Sequence, residues 1–196
     1  MGEIKRPHTP REAWTAMVSG NHRFVTGAPA HPRQDIDLRA ALVEEQRPFA
    51  ALFGCADSRL SAEIIFDVGL GDLFVVRNAG QVIGETILGS LEYSVEVLGV
   101  PLILVLGHDE CGAIRATLDD IAGNLPASGE FIHHLVDQIR PTVLEANAAG
   151  KTEIDEVTEW HVQDTINEML TKSKTISEAV KAGKLGVVGA NYKLAL

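Results

Sequence analysis

Both cysteines of this 196-residue chain, and one of its seven histidines, stand within four residues of the end of a short apolar segment. Cys55 follows the segment 49–54, and His108 and Cys111 follow the segment 102–107. Ligands bind beyond the carboxyl ends of strands in open α/β sheets, so adjacent parallel strands would bring the two loops together. Two thiolates and an imidazole suit Zn²⁺, and three protein ligands leave a fourth tetrahedral position open, as in catalytic zinc sites. The residues therefore predict an open site for one zinc ion per chain.

Two other interpretations of these residues remain open at this point. A Cys–His pair can form a nucleophile and its base, although the second cysteine then has no role. A lone cysteine after a strand can also be a small buried core residue. A structural zinc site is disfavoured because such sites usually have a fourth Cys or His ligand, and the chain has no third cysteine.

Asp57 and Arg59 lie two residues apart in the loop after Cys55. An arginine can hold a carboxylate in a bidentate pair. Such a pair would keep Asp57 off the metal, ionised and able to accept a hydrogen bond from a metal-bound water. The alternative is a loop salt bridge without a catalytic role.

The elements that must position these loops alternate between strand and helix. The apolar segments 49–54, 73–77, 102–107 and 185–188 indicate strands covered on both faces, and the helical spacing of apolar residues predicts helices at 85–97, 131–146 and 165–182, the last ended by Gly183. This alternation predicts a single α/β domain with a mostly parallel central sheet flanked by helices. Residues 46–196 form its core, and residues 1–45 form a helical arm whose first helix has Thr9 as N-cap, Pro10 at its first position and Glu12 at its third.

The composition is that of an ordinary globular chain, with 45% apolar and 22% charged residues and a net charge of -10. The acidic balance disfavours nucleic acid as a partner. Neither a signal peptide nor an apolar run long enough to span a membrane is present, which predicts a cytoplasmic protein. Cysteines in a reducing cytosol favour metal binding or catalysis over a disulfide.

Several segments together resemble the β-class carbonic anhydrase family. The segments 55–59 (CADSR) and 107–112 (GHDECG) resemble its two signature motifs. Further similarity lies in the segments 20–24 (GNHRF), 74–80 (FVVRNAG), 89–93 (GSLEY) and 186–192 (GVVGANY). The resemblance covers roughly residues 10 to 192, and the spacing of the first two motifs is specific.

The resemblance implies a role for each matching residue. The zinc ligands would be Cys55, His108 and Cys111, and the catalytic dyad would be Asp57 and Arg59. The substrate-binding residues would be Gln46, which donates from its amide, and the apolar residues Phe74, Ala79 and Tyr93, with Tyr93 coming from a neighbouring subunit. The arm would pack on that subunit in a homodimer or homotetramer.

The implied function is the reversible hydration of carbon dioxide to bicarbonate and a proton, by attack of zinc-bound hydroxide. Asp57 is also a conditional fourth ligand, because one branch of the family has a closed state in which this aspartate binds zinc. Members of that branch have Trp and Gly where this chain has Leu52 and Gly54, so this chain matches the branch at the second position only. Gln46 instead favours the open type of the family, in which the aspartate does not bind zinc. The alternatives are a carbonyl sulfide or carbon disulfide hydrolase and a non-catalytic bicarbonate-binding subunit.

No residue stands out as a proton shuttle. Five histidines are candidates by residue type alone, each with a solvated surface position as the expected alternative: His22, His31, His133, His134 and His161.

Overall fold

The computed structural model describes residues 6–124 and 129–195, so the first five residues of the expected arm and Leu196 lie outside the described residues. Within these two ranges, four strands form one sheet: β1 (Ala50–Cys55), β2 (Leu73–Asn78), β3 (Leu102–His108) and β4 (Gly186–Tyr192). The described residues also form eight α-helices around the sheet: α1 (Pro10–Val25), α2 (Ile36–Ala41), α3 (Ala62–Ile65), α4 (Glu85–Glu96), α5 (Gly112–Ile121), α6 (Glu130–Ala148), α7 (Ile154–Lys172) and α8 (Lys174–Lys181). No helix in these ranges is both long and apolar enough to cross a membrane.

The sheet has the strand order β2-β1-β3-β4, and every neighbouring pair is parallel. The α/β architecture predicted from the alternating pattern is thus confirmed. β1 and β3 lie at the centre, and all of their residues are buried. Because parallel strands end at the same edge of a sheet, the loops after β1 and β3 leave the core side by side.

Helices cover both faces of the sheet, which explains why the strands read as continuous apolar runs. Along β1, Leu52 packs on the face that carries α1 and α3, and Phe53 packs on the opposite face. The opposite face is covered by α4, α7 and α8. A third apolar cluster lies beyond the strand ends, where Cys111 packs with residues of α5, α6 and α7.

The N-terminal segment contains the predicted helix, α1, which packs on the sheet of its own chain. The Thr9 hydroxyl accepts from the Glu12 backbone N–H at 3.2 Å, and the Glu12 carboxylate accepts from the Thr9 N–H at 3.2 Å, so the predicted capping box is present. Ala13 and Met17 of α1 are fully buried on the protein's own sheet. Packing of the arm on a partner therefore remains a prediction.

The helix predicted over residues 165–182 is wrong in its extent. The structure has two helices there, and the first begins eleven residues earlier, at Ile154. Ser173 separates them with an extended ψ of 108°, and its hydroxyl both caps α8 at Ile176 and donates to the Glu92 carboxylate of α4. The expected end is confirmed, since Gly183 adopts a φ of 69° directly after the last helix.

Candidate metal centre

The ends of β1 and β3 bring the three predicted ligands together. Cys55 is the last residue of β1, His108 is the last residue of β3, and Cys111 is the N-cap of α5. The Sγ atoms of both cysteines and a ring nitrogen of His108 all lie within 4.8 Å of one another. All three side chains are buried, which suits ligands that must exclude competing water. The geometry fits the soft, mixed sulfur and nitrogen donor set that Zn²⁺ prefers.

The hydrogen bonding of His108 leaves one ring nitrogen available to a metal. Nδ1 lies 2.8 Å from the backbone oxygen of Asp109, and because a carbonyl only accepts, Nδ1 carries the proton. Nε2 is buried and has no hydrogen-bond partner among the described residues. A buried lone pair without a partner is costly in a core, but it is the expected state of a histidine oriented to bind a metal.

The two thiols have opposite pKa shifts, each caused mainly by the other. The pKa of Cys55 is lowered to about 4, first by hydrogen bonding with Cys111 and then by His108 and the Gly80 N–H, although burial opposes the shift. The thiolate at Cys55 in turn raises the pKa of Cys111 above its ordinary value. A cation is needed to stabilise the second thiolate, so zinc binding should displace a proton from the cysteine pair.

The predicted dyad lies next to these ligands. The Arg59 backbone N–H and Nε both donate to Asp57 Oδ1 at 2.9 Å, and Nη2 donates to Oδ2 at 2.7 Å. These Arg59 hydrogen bonds hold the pKa of Asp57 well below its usual range, so the carboxylate is ionised at neutral pH. Asp57 Oδ2 lies 4.0 Å from His108 Nε2, which puts the carboxylate beside the ligand set. Both of its oxygens are held by Arg59 in this arrangement.

Two supporting residues were missed by the sequence interpretation. Arg77 donates to the Cys55 carbonyl at 2.8 Å and to the Asp57 carbonyl at 2.6 Å, and it thereby fixes the loop that carries the ligand and the dyad. The Gly80 N–H donates to Cys55 Sγ at 3.4 Å. Both lie in the segment that resembles the family, but only the parallel pairing of β1 with β2 reveals that they lie beside Cys55.

The histidines divide into one buried residue and an exposed group. The prediction that His161 lies on the surface is wrong. This side chain of α7 is buried, and its Nε2 lies 2.7 Å from the Gly80 carbonyl oxygen. The other candidates are exposed, as expected: His22, His31, His133 and His134. A shuttle role for any histidine stays a prediction.

The four expected substrate-binding residues are not gathered at one place within the chain. Ala79 follows β2 at the metal end, next to Gly80. Phe74 pairs with Ala51, four residues before Cys55, which places it about 13 Å back along the strands. The Tyr93 ring lies against it, with centroids 6.1 Å apart. Gln46 precedes β1 and lines, together with Tyr93, a surface cavity of ≈ 670 Å³ at the opposite end of the sheet.

Comparison with known proteins gives a consistent family assignment. A family model described as carbonic anhydrase matches residues 50–196. The chain is 50% identical over 190 residues to carbonic anhydrase 2 of Mycobacterium tuberculosis, an alignment that covers 96% of this chain and 91% of the relative. It is 48% identical over 187 residues to the carbonic anhydrase of Mycolicibacterium smegmatis, covering 95% and 90%.

A solved structure agrees with these relatives. The Coccomyxa β-carbonic anhydrase, solved in complex with acetazolamide, superposes with a TM-score of 0.68 at 25% identity, covering 90% of this chain and 80% of that structure. The family match extends over the segment that holds all three candidate ligands, and the close relatives cover nearly the whole chain. The chain therefore belongs to the β-class carbonic anhydrases.

Proposed function

We propose that this protein catalyses the reversible hydration of carbon dioxide to bicarbonate and a proton at one zinc ion per chain. The observation that carries the proposal is the buried set of three ligand atoms within 4.8 Å of one another, in which His108 Nε2 has no other described partner. Cys55, His108 and Cys111 hold the ion. Bound zinc supplies Lewis-acid chemistry that lowers the pKa of water towards neutrality.

The dyad positions the attacking water. Asp57 is ionised and therefore only accepts hydrogen bonds, so it orients the water through its proton and directs an oxygen lone pair at the substrate. Arg59 keeps the carboxylate in place with three hydrogen bonds. Ligation of the metal by Asp57 itself requires these bonds to break, so the open arrangement is the one proposed for the active protein.

The substrate pocket is proposed to form between two copies of the chain. Gln46, Phe74 and Tyr93 lie at the sheet edge opposite the ligands of their own chain, too far away to contact a substrate there. A second copy that presents this edge to the metal end would add two apolar rings and one amide donor to the site. Ala79, already at the metal end, would complete the apolar wall around carbon dioxide, and the Gln46 amide would hydrogen-bond the developing bicarbonate oxygen.

The surface around Tyr93 has the character of such an interface. Tyr93 is 44% exposed and Val97, the C-cap residue directly after α4, is 63% exposed. Val43 lines the same cavity and is 81% exposed. Clustered exposed apolar side chains around an aromatic residue are typical of a protein interface. The proposed unit is therefore at least a homodimer, and a homotetramer would pair two such dimers.

The location that suits this chemistry is the reducing cytosol. Both cysteines are buried free thiols, and each must stay reduced to bind the ion.

The test is metal analysis combined with a carbon dioxide hydration assay from pH 6.5 to 9. The expected result is one zinc per chain and turnover that is lost on chelation and restored by zinc. Turnover confined to the alkaline end would contradict the open arrangement and indicate Asp57 on the metal. A metal-loaded protein that turns over carbonyl sulfide or carbon disulfide in preference, or no substrate at all, would contradict the proposed reaction.

A further inference from the structure

His161 is a buried side chain that contacts the turn behind the metal centre. It lies on α7, is 5% exposed, and its Nε2 is 2.7 Å from the Gly80 carbonyl oxygen. Because the carbonyl only accepts, Nε2 carries the proton and donates. Nδ1 has no partner among the described residues, and burial lowers the pKa of the ring, so the imidazole is neutral. A neutral buried histidine with one directed hydrogen bond acts as a fixed donor.

The Asn78 amide brackets the turn by accepting from the Val82 N–H at 2.8 Å and donating to the Val82 carbonyl at 2.7 Å, but Gly80 within the turn has no side chain of its own. Gly80 has a φ of 70°, and a Cβ there would lie 2.8 Å from the Ala113 Cβ and 3.0 Å from the Ile139 Cδ1. Gln81, the next residue, also has a positive φ, of 41°. Glycine adopts this left-handed conformation without cost, but Gln81 is strained in it unless the surroundings hold the turn in place. The hydrogen bond from α7 is such a restraint.

The same turn directs a backbone donor at a proposed zinc ligand. The Gly80 N–H lies 3.4 Å from Cys55 Sγ, and it contributes to the lowered pKa of that thiol. A donor to a ligating sulfur fixes the direction of its lone pairs and withdraws electron density from it. The chain of contacts therefore runs from α7, through one glycine, to the sulfur.

We propose that His161 is a positioning residue that holds the Gly80 turn so that its N–H stays on Cys55, and that it thereby sets zinc affinity and the donor strength of the sulfur. This role rests on the proposed function, since it requires that Cys55 ligate zinc. Nothing in it requires the imidazole to touch substrate or metal.

The test compares two amide side chains that differ by one methylene. In H161Q the amide nitrogen reaches about as far as Nε2 of histidine, whereas in H161N it stops one bond short. Zinc affinity is measured by competition with a chromophoric chelator, and the sulfur is probed by the thiolate-to-metal charge-transfer band of the cobalt-substituted protein. We expect H161N to bind zinc roughly tenfold more weakly and to shift the band to longer wavelength, with H161Q close to the parent.

A matched control removes a different buried hydrogen bond from the same helix. The Thr165 hydroxyl donates to the His161 backbone oxygen at 2.7 Å, so T165V perturbs α7 without touching Gly80. We expect T165V to retain the parental zinc affinity and band. Thermal unfolding of the metal-free variants reports any general loss of stability. Should H161N yield no folded protein, H161L, which also lacks the donor and has a similar volume, takes its place.

The outcomes separate this role from the proposed function. Parental affinity and band position in H161N or H161L would overturn it, as would an equal loss in T165V or no recovery in H161Q. A parent protein that binds no zinc would overturn the proposed function, and with it this role. A parent that binds zinc with unaffected variants would overturn the His161 role alone.

Discussion

Replacing Asp57 with asparagine tests the part of the proposed mechanism that is most specific to this geometry. The carboxylate accepts three hydrogen bonds from Arg59, two at Oδ1 and one at Oδ2. Asparagine has one acceptor oxygen and an NH₂ group that only donates. Since a guanidinium also only donates, it selects the amide oxygen. The NH₂ group then takes the place of Oδ2, on the side of His108.

The size of the effect follows from this exchange of an acceptor for a donor. The attacking water loses the group that orients its proton and instead meets a donor. Removing one preorganised hydrogen bond from a transition state costs about 2.7–4 kcal/mol, which predicts a 100- to 1000-fold lower kcat. Because the pKa of Asp57 is held well below its usual range, the carboxylate is ionised throughout pH 6.5 to 9. The deficit should therefore be the same at every pH in that range.

Stopped-flow carbon dioxide hydration measures the effect, with zinc content determined on the same samples. The matched control is D137N, which removes a carboxylate that also pairs with an arginine, 3.3 Å from Arg140 on α6. We expect D137N to retain parental turnover. Near-parental turnover of D57N at full zinc occupancy would refute the orienting role, and a deficit that disappears at high pH would refute the reasoning from its ionisation.

Three further changes have defined expectations. G80A should lower the free energy of unfolding by about 2–4 kcal/mol in urea titrations, since its φ is 70° and its Cβ would meet the Ala113 Cβ at 2.8 Å. D67N should lower the free energy of unfolding by about 1–3 kcal/mol, because the buried carboxylate accepts two N–H groups of the segment between α1 and α2 and pairs with a guanidinium. Burial raises the pKa of Asp67, but these hydrogen bonds outweigh it and lower the pKa, so the D67N deficit should be constant above pH ~4 and shrink as the pH falls further. Y93A should weaken self-association roughly tenfold or more in sedimentation equilibrium, and lower kcat/KM in parallel, because its ring is proposed to complete a neighbouring site.

Each of these expectations has a contrasting result. G84A, at the N-cap of α4, has a φ of -149° and a Cβ that would meet nothing within 4 Å, so it should cost at most about 1 kcal/mol, through the poorer N-cap preference of alanine; a loss equal to that of G80A would contradict the steric argument. A D67N deficit that grows below pH 4 would contradict the assigned pKa direction. W160A removes an exposed ring on α7 and should leave self-association unchanged. A fully active Y93A monomer would contradict the shared site.

The clustering of the three candidate ligands could be predicted from sequence because both parts of the prediction are local. Residue type supplies the donor atoms, and short apolar runs locate the strand ends, since β-strands buried on both faces need no distant information to be recognised. Cys55 and His108 are indeed the last residues of β1 and β3. The bidentate pairing of Asp57 with Arg59 was predictable for the same reason, as the two residues are only two positions apart.

Helix boundaries show where local information ends. The amphipathic pattern of residues 165–182 continues through Ser173, yet the structure breaks there because the Ser173 hydroxyl is held by Glu92 of another helix. His161 is similar, because its residue type and neighbours in sequence do not distinguish it from the exposed histidines. Only the packing of α7 behind the β2 turn buries it and directs its donor at Gly80.

By itself, the sequence determined the α/β class and the residue types of the candidate ligands and of the candidate dyad, because periodicity and residue chemistry are local properties of the chain. Only the tertiary structure decided which nitrogen of His108 is free, which backbone donor contacts Cys55, and that Phe74 and Tyr93 lie at the opposite end of the sheet from their own chain's ligands. These features depend on strand order and register, through which residues far apart in sequence become neighbours.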